Sequence, residues 1–180
     1  MKLVILDRDG VINRDSDNYI KNVDEFQFLE GSVEAIAKLY KQGFSVVIAT
    51  NQSGLARGLF QLEDLEDMHA KLTSAVIAAG GEIAGIFYCP HGPDDNCNCR
   101  KPLPGLIDAI EAELGISAKG WPIVGDSLRD LQAGLAKGCD PLLVKTGKGV
   151  RTLPKLDSLN TGVQVFEDLA EASDHIIEHY

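Results

Sequence analysis

The chain has 180 residues, 44% of them hydrophobic and 24% charged, with a formal net charge of −10. That length suits one domain, spanning 1–180, with a proper core, and the charge excludes polyanion binding by a broad basic surface, so nucleic acid is not an expected partner. No apolar run approaches the roughly 20 residues of a membrane helix and residues 1–20 lack a signal-peptide pattern, so the expectation is a cytoplasmic protein with no membrane partner.

Leu3, Val4, Ile5 and Leu6 form a short apolar run without alternation, the pattern of a strand buried on both faces of a parallel sheet. It stops at Asp7-Arg8-Asp9-Gly10. Ligands of open α/β sheets bind beyond the carboxyl ends of the strands, so two carboxylates there stand where chemistry is placed; a plain polar turn is the competing reading. Residues 11–28 have no clear period and read as a loop or flap over the end of the first strand. In it Asp15, Ser16, Asp17, Asn18 and Tyr19 either reach a substrate or belong to a surface excursion.

Residues 31–42 place Val33, Ile36, Ala37 and Tyr40 on one helical face, and Gly43 ends the helix. A second buried strand over 44–49 runs into Thr50-Asn51-Gln52-Ser53-Gly54, and a helix over 61–79 turns Leu62, Leu65, Met68, Leu72 and Val76 inward. A third strand over 85–88 precedes a loop containing Cys89, His91, Cys97 and Cys99. Three sulfurs and an imidazole within eleven residues suit a closed, four-coordinate Zn²⁺ of structural type. Gly92, Pro93, Asp94, Asp95 and Asn96 offer no apolar side chain to hold the loop's shape, so the metal would hold it. The competing reading is a zinc-dependent interaction module that binds a partner protein. Cys139 reads as a buried thiol, and His69, His175 and His179 as surface helix residues.

A helix over 104–114 begins at a proline, a fourth strand over 122–125 ends in Asp126-Ser127, a helix covers 128–137, and a fifth strand over 141–145 ends in Thr146-Gly147-Lys148-Gly149. A looser segment at 150–162 leads to a short strand at 163–166 and a last helix near 167–178. Alternating strands and helices imply a doubly wound parallel α/β sheet with right-handed crossovers. The basic residues Arg57, Arg100, Lys101, Arg129, Lys145 and Lys148 all fall in or near turns after the strands, which leaves room for a small anionic substrate despite the net charge.

An aspartate is unprotonated at neutral pH and can attack phosphorus without a base, giving an acyl phosphate that water hydrolyses. Asp7 suits that nucleophile and Asp9 the acid and base for the leaving alkoxide and the incoming water. Asp7, Asp9 and Asp126 suit a Mg²⁺ ion. Thr50 and Lys101 suit the phosphoryl oxygens, with Asp130 one helical turn beyond Asp126 to orient Lys101. A response-regulator receiver has related parts, but it needs an acceptor aspartate after the third strand, where this chain has Cys89.

Asp7-Arg8-Asp9-Gly10, Thr50-Asn51, Lys101 and Gly125-Asp126-Ser127 follow one another as do the four motifs of the haloacid dehalogenase-like phosphatase superfamily, which the chain resembles over nearly its whole length. The spans DRDGVIN, TNQSGLARG, CPH…CNCRKPLPG and GDSLRDLQA resemble its zinc-loop subgroup of small-molecule phosphatases. The resemblance implies a Rossmann-like sheet without a large cap domain, catalytic Mg²⁺, structural Zn²⁺ on Cys89, His91, Cys97 and Cys99, and a monomer acting on a small phosphorylated sugar. It implies catalytic roles for Asp7, Asp9, Thr50 and Lys101. It places substrate on Asp15, Asp17, Asn18, Tyr19, Thr50, Asn51, Gln52, Ser53, Arg57, Arg100 and Lys101. Histidinol phosphate is the alternative substrate: its relatives tend to have an acid after the TNQ triplet, where Ser53 stands, and Arg57 favours a second phosphate over an ammonium. Ser127 stands where some members have a lysine, so its side chain is given no role.

Overall fold

The computed structural model describes residues 1–180. Six parallel strands form one sheet: β1 (Lys2–Leu6), β2 (Phe44–Asn51), β3 (Gly85–Cys89), β4 (Pro122–Gly125), β5 (Asp140–Val144) and β6 (Gln164–Phe166), in the order β3-β2-β1-β4-β5-β6. The order reverses between β1 and β4, and in a doubly wound sheet the crevice at that reversal is the ligand site. β3 lies at the edge of the sheet and ends in Cys89, so the receiver arrangement does not form.

Successive side chains of a strand point to opposite faces, and the apolar run of β1 serves both. Val4 and Leu6 join Val46 and Ile48 of β2 against α1 (Ser32–Lys41), α2 (Leu62–Ala78) and α6 (Leu169–His179). Leu3 and Ile5 join Val47 and Ala49 against α3 (Gly105–Leu114) and α4 (Leu128–Ala136). Both faces are thus covered, which is why these strands need no polar alternation. The segment read as loose contains a short helix α5 (Gly149–Thr152) and a 3-10 turn (Leu153–Leu159). No helix is long and apolar enough to cross a membrane.

Two helical faces differ from expectation. In α1 the inner residues are Ser32, Val33, Ala35, Ile36, Ala37 and Leu39, while Tyr40 is exposed; the buried stripe is centred on the 32/35/36/39 positions and Tyr40 lies past its edge. In α2, Leu65, Met68, Leu72 and Val76 are buried but Leu62 is exposed, because it occupies the first turn before the helix reaches the sheet.

The flap is better anchored than its polar sequence indicates. Val11, Ile12, Ile20 and Phe26 are buried. Asn13 bridges both Asp9 and Phe28, and the Ser32 hydroxyl donates to the Ile12 carbonyl at 2.7 Å. These contacts hold residues 15–20 over the carboxyl end of β1.

Candidate active site

The strand ends enclose a cavity of about 420 Å³ lined almost entirely by polar side chains. β1 delivers Asp7, whose N–H is paired to the Val124 carbonyl of β4 at 3.0 Å; β4 in turn delivers Asp126. One carboxylate oxygen from each of Asp7, Asp126 and Asp130 lies within 4.8 Å of the others, all three residues being buried. Gly10 makes the approach possible. Its φ is +87°, and a Cβ there would lie 2.0 Å from the Asp126 carboxylate. Lys148 N–H donates to Asp126 at 2.8 Å and Thr146 Oγ1 to the Gly10 carbonyl at 2.7 Å, closing the site from the β5 turn.

One lysine counters these charges. Lys101 Nζ donates to Asp7 at 2.9 Å, Asp130 at 2.6 Å and the Ala49 carbonyl at 2.7 Å. Burial opposes its charge, but Asp130 and Asp7 outweigh that and raise it above the usual lysine range. Burial, with Asp130 behind it, raises Asp7 to about 7. Burial also raises Asp126, to about 9, and repulsion from Asp7 and Asp130 adds to it. Asp7 and Asp126 thus crowd together with only Lys101, which Asp130 shares, to offset their charge, and such a carboxylate pair is the donor set of a hard divalent ion, so Mg²⁺ fits here. Asp130 is engaged otherwise: it accepts from Lys101, and its other oxygen takes Ser127 N–H at 3.1 Å and Ser127 Oγ at 2.9 Å.

The Asp9 carboxylate stands apart from that cluster. Its Oδ1 accepts from Arg8 Nε and Nη2 at 3.0 and 2.8 Å and from Asn13 Nδ2 at 2.8 Å; its Oδ2 accepts from Gln52 Nε2 at 3.0 Å. Burial alone would raise this carboxyl, but the Arg8 charge and those donors hold it below the usual range. Oδ1 is thus fully engaged by the protein, while Oδ2 has one donor.

β2 supplies Thr50 and Asn51 and the turn after it Gln52 and Ser53, all of which line the cavity. Gln52 Nε2 also donates to Thr50 Oγ1 at 2.9 Å. Asn51, expected to meet substrate, spends its amide on the chain: Nδ2 donates to the Lys101 carbonyl at 3.1 Å and Oδ1 accepts the Lys101 N–H at 3.0 Å. This two-way clamp fixes the backbone beneath Lys101. Asn51→Ala removes both bonds, so a stability loss of about 1–2 kcal/mol and a fall of about 10-fold in kcat/KM are expected from thermal melting and phosphate release. Unchanged kinetics would mean that Lys101 is held without the clamp.

The cysteine loop lies alongside. Sγ of Cys89 is 3.6 Å from His91 Nδ1, 3.7 Å from Cys97 Sγ and 3.0 Å from Cys99 Sγ, and Cys99 Sγ is 3.3 Å from His91 Nδ1. A tetrahedral ion with bonds of about 2.3 Å to sulfur has ligand–ligand edges of about 3.8 Å, so the four atoms need to spread only slightly to hold Zn²⁺. The loop docks onto α3 where Gly105 N–H donates to the Asn98 carbonyl at 2.9 Å. A Cβ on Gly105 would lie 2.2 Å from that carbonyl, so only glycine permits the contact. Arg100 and Lys101 leave this anchored loop and enter the cavity.

Arg57, Arg100 and Arg129 also line the cavity, and none of the chain's ion pairs involves them. Burial and the neighbouring charges of Arg129 and Arg57 push the Arg100 guanidinium down. From the flap come Asp15, Asp17 and Tyr19; Tyr19 has φ +67° and its ring stacks 5.7 Å below the Arg57 guanidinium. Asn18 does not line the cavity. It lies exposed beyond the pocket, where its carbonyl accepts from Lys21, because the left-handed turn at Tyr19 sends the ring of that residue inward instead. Lys145 is also outside, paired with Glu167 at 2.8 Å.

Four site residues, Ser127, Arg8, Asn13 and His69, carried no individual role in the sequence. Ser127 forms with Asp130 the S-x-x-D capping pattern at the start of α4, which was legible. Arg8, Asn13 and His69 had no such signal. His69, expected at the surface, is partly buried with Nε2 3.1 Å from Arg8 Nη1.

Two family models match the chain: "polynucleotide kinase 3 phosphatase" over residues 2–128 and "HAD-hydrolase-like" over residues 98–172. With the sheet order and the strand-end carboxylates, they define a hydrolase of the haloacid dehalogenase-like class. The chain is 53% identical over 176 residues to the D-glycero-β-D-manno-heptose-1,7-bisphosphate 7-phosphatase of Pseudomonas aeruginosa, covering 98% of each chain. The solved D,D-heptose 1,7-bisphosphate phosphatase of Bordetella bronchiseptica, complexed with magnesium and phosphate, superimposes with a TM-score of 0.96 at 50% identity over 100% of both chains. That of Burkholderia thailandensis gives 0.77 at 42% identity, over 98% of this chain and 99% of that one. The chain belongs to the D-glycero-β-D-manno-heptose-1,7-bisphosphate 7-phosphatase family.

Proposed function

We propose that the chain removes the C7 phosphate of D-glycero-β-D-manno-heptose 1,7-bisphosphate, in the supply of ADP-heptose for lipopolysaccharide core assembly. The supporting observation is that one cavity holds two cationic groups: Lys101, paired with the Asp7 carboxylate, and three neighbouring arginines, Arg57, Arg100 and Arg129, that have no carboxylate partner. A bisphosphate meets both; histidinol phosphate would bring an ammonium against the arginines. The relatives matched over their full length support the sugar bisphosphate rather than the polynucleotide of the partial family match.

Asp7 Oδ attacks phosphorus as the bond to the sugar oxygen breaks, and Asp9, which the Arg8 charge keeps ionised at rest and which therefore first takes up a proton from solvent, gives that proton to the departing oxygen. Asp9 then takes a proton from water as the water oxygen bonds to phosphorus and the acyl–phosphate bond to Asp7 breaks, releasing inorganic phosphate. Lys101 and Thr50 hold the phosphoryl oxygens. Asp130 keeps Lys101 charged and aimed, while Gln52 holds Asp9 and Thr50 together. Mg²⁺ on the carboxylates of Asp7 and Asp126 and the Asp9 carbonyl supplies the positive charge that offsets repulsion between nucleophile and phosphate. Arg57 and Arg100 receive the second phosphate, and Asp15, Asp17, Tyr19 and Ser53 meet the sugar. Cys89, His91, Cys97 and Cys99 hold Zn²⁺ as a structural ion.

The test is phosphate release with Mg²⁺ present, comparing kcat/KM for heptose 1,7-bisphosphate, histidinol phosphate and an oligonucleotide 3′-phosphate. A preference of about 100-fold for the bisphosphate, about 2.7 kcal/mol of transition-state discrimination, is expected. Preference for either competitor overturns the substrate assignment.

A further inference from the structure

One buried cation has no part in the chemistry above. Arg8 is fully buried and lies outside the cavity lining. Two of its N–H groups converge on Asp9 Oδ1, its guanidinium stacks 5.0 Å from the Phe26 ring, and its Nη1 faces His69 Nε2 at 3.1 Å. A guanidinium has donors only, so His69 Nε2 must accept, and the ring is the neutral tautomer with its proton on Nδ1. His69 comes from the middle of α2, far along the chain from the strand end it supports.

The two oxygens of Asp9 are left in unlike states. Oδ1 takes three donors, two from a cation, while Oδ2 takes only the Gln52 amide and keeps lone-pair capacity, and Asp9 itself lines the cavity. We propose that His69 and Arg8 are positioning residues that dedicate Asp9 Oδ1 to the protein, so that Oδ2 is the oxygen that gives and takes the proton. In the first half-reaction a proton taken up by Oδ2 from solvent passes to the departing alkoxide. In the second, Oδ2 receives it from the water that bonds to phosphorus. Without the His69 acceptor, Nη1 is a buried donor with no partner; the guanidinium turns to find one and takes Asp9 out of line. The inference rests on the acid–base role of Asp9.

The experiment uses the Mg²⁺-loaded, zinc-replete enzyme and rapid-quench formation of the aspartyl phosphate. An alkyl phosphate ester needs its leaving oxygen protonated, whereas p-nitrophenyl phosphate expels a stable phenolate. His69→Phe keeps the ring shape and removes the acceptor; His69→Gln restores one. In His69→Phe the alkyl ester rate is expected to fall about 10- to 100-fold and the nitrophenyl rate by less than about 3-fold, with His69→Gln recovering most of the loss. The ratio of the two rates does not depend on the folded fraction, so partial unfolding cannot imitate the effect; His69→Leu gives the same comparison if the phenylalanine variant is not obtained. Equal losses on both esters, no loss, or failure of glutamine to rescue each overturn the proposal. Asp9→Asn separates the two levels. If it shows the leaving-group dependence and His69→Phe does not, the positioning role alone fails; if Asp9→Asn shows none, the acid–base role fails and takes this inference with it.

Discussion

Asp7→Asn is expected to lower kcat by about 10⁴-fold or more, equivalent to about 5.5 kcal/mol of barrier, while the protein stays folded. Asparagine keeps the shape of the side chain but loses the attacking carboxylate, and no second group replaces it. Asp130 is held by Lys101 and Ser127, and Asp9 by Arg8, Asn13 and Gln52. The stability change has the opposite sign. Burial raises the Asp7 carboxyl to about 7. A folded-state value above the unfolded one means that keeping this group ionised costs stability, increasingly from about pH 4 up to pH 7 and fully above that. The neutral amide escapes that cost, and Lys101 retains Asp130. In chelator at neutral pH the variant should therefore melt at or above the temperature of the parent. Phosphate release and thermal melting check both halves. A variant with near-normal turnover would remove Asp7 as nucleophile. Inactivity accompanied by a collapsed melting transition would leave its role as a charge in the fold, and the absence of a phosphorylated enzyme in the parent would then count against it.

Cys97→Ser is expected to reduce bound zinc to near zero and kcat by about 100-fold. Only Arg100 separates Cys99, the last residue of the cluster, from Lys101, whose Nζ must sit 2.9 Å from Asp7. Structural zinc contributes about 10–16 kcal/mol to small domains that lack a core. Here the sheet and both layers of helices have their own core, so the loss should stay within the loop. Far-UV circular dichroism should change little, while zinc content and activity fall together and zinc restores both in the parent after chelation. Full activity in zinc-free protein would take the loop out of the mechanism. Loss of a binding partner alone would favour the interaction-module reading.

Much of the site was legible because its residues lie at strand ends, and strand ends are marked by abrupt changes from apolar runs to polar turns. Asp7, Asp9, Thr50 and Asp126 are all of this kind, and the structure brings them into one cavity with Lys101, which comes from the cysteine loop. The cysteine–histidine cluster was legible for a different reason: Cys89, His91, Cys97 and Cys99 are close in sequence, so a short loop can gather them without help from the fold. Helical faces were legible in their centres and not at their edges. Tyr40 and Leu62 have the right chemistry for burial, but whether an edge position meets the core depends on where the helix lands.

What the sequence determined alone is the order of elements, the identity of the strands that pack on both faces and the residue types presented at their ends. Local periodicity and abrupt polarity changes are enough for that. The tertiary structure decided the pairings. The Asn51 amide met the Lys101 backbone, Asn18 fell outside the cavity that Tyr19 lines, and Asp130 joined Asp7 and Asp126 while Asp9 was drawn to Arg8. His69 met Arg8 across 61 residues of chain. Such partnerships arise because a buried donor or acceptor must find a partner wherever the packing places one, and packing joins distant segments without leaving a local pattern.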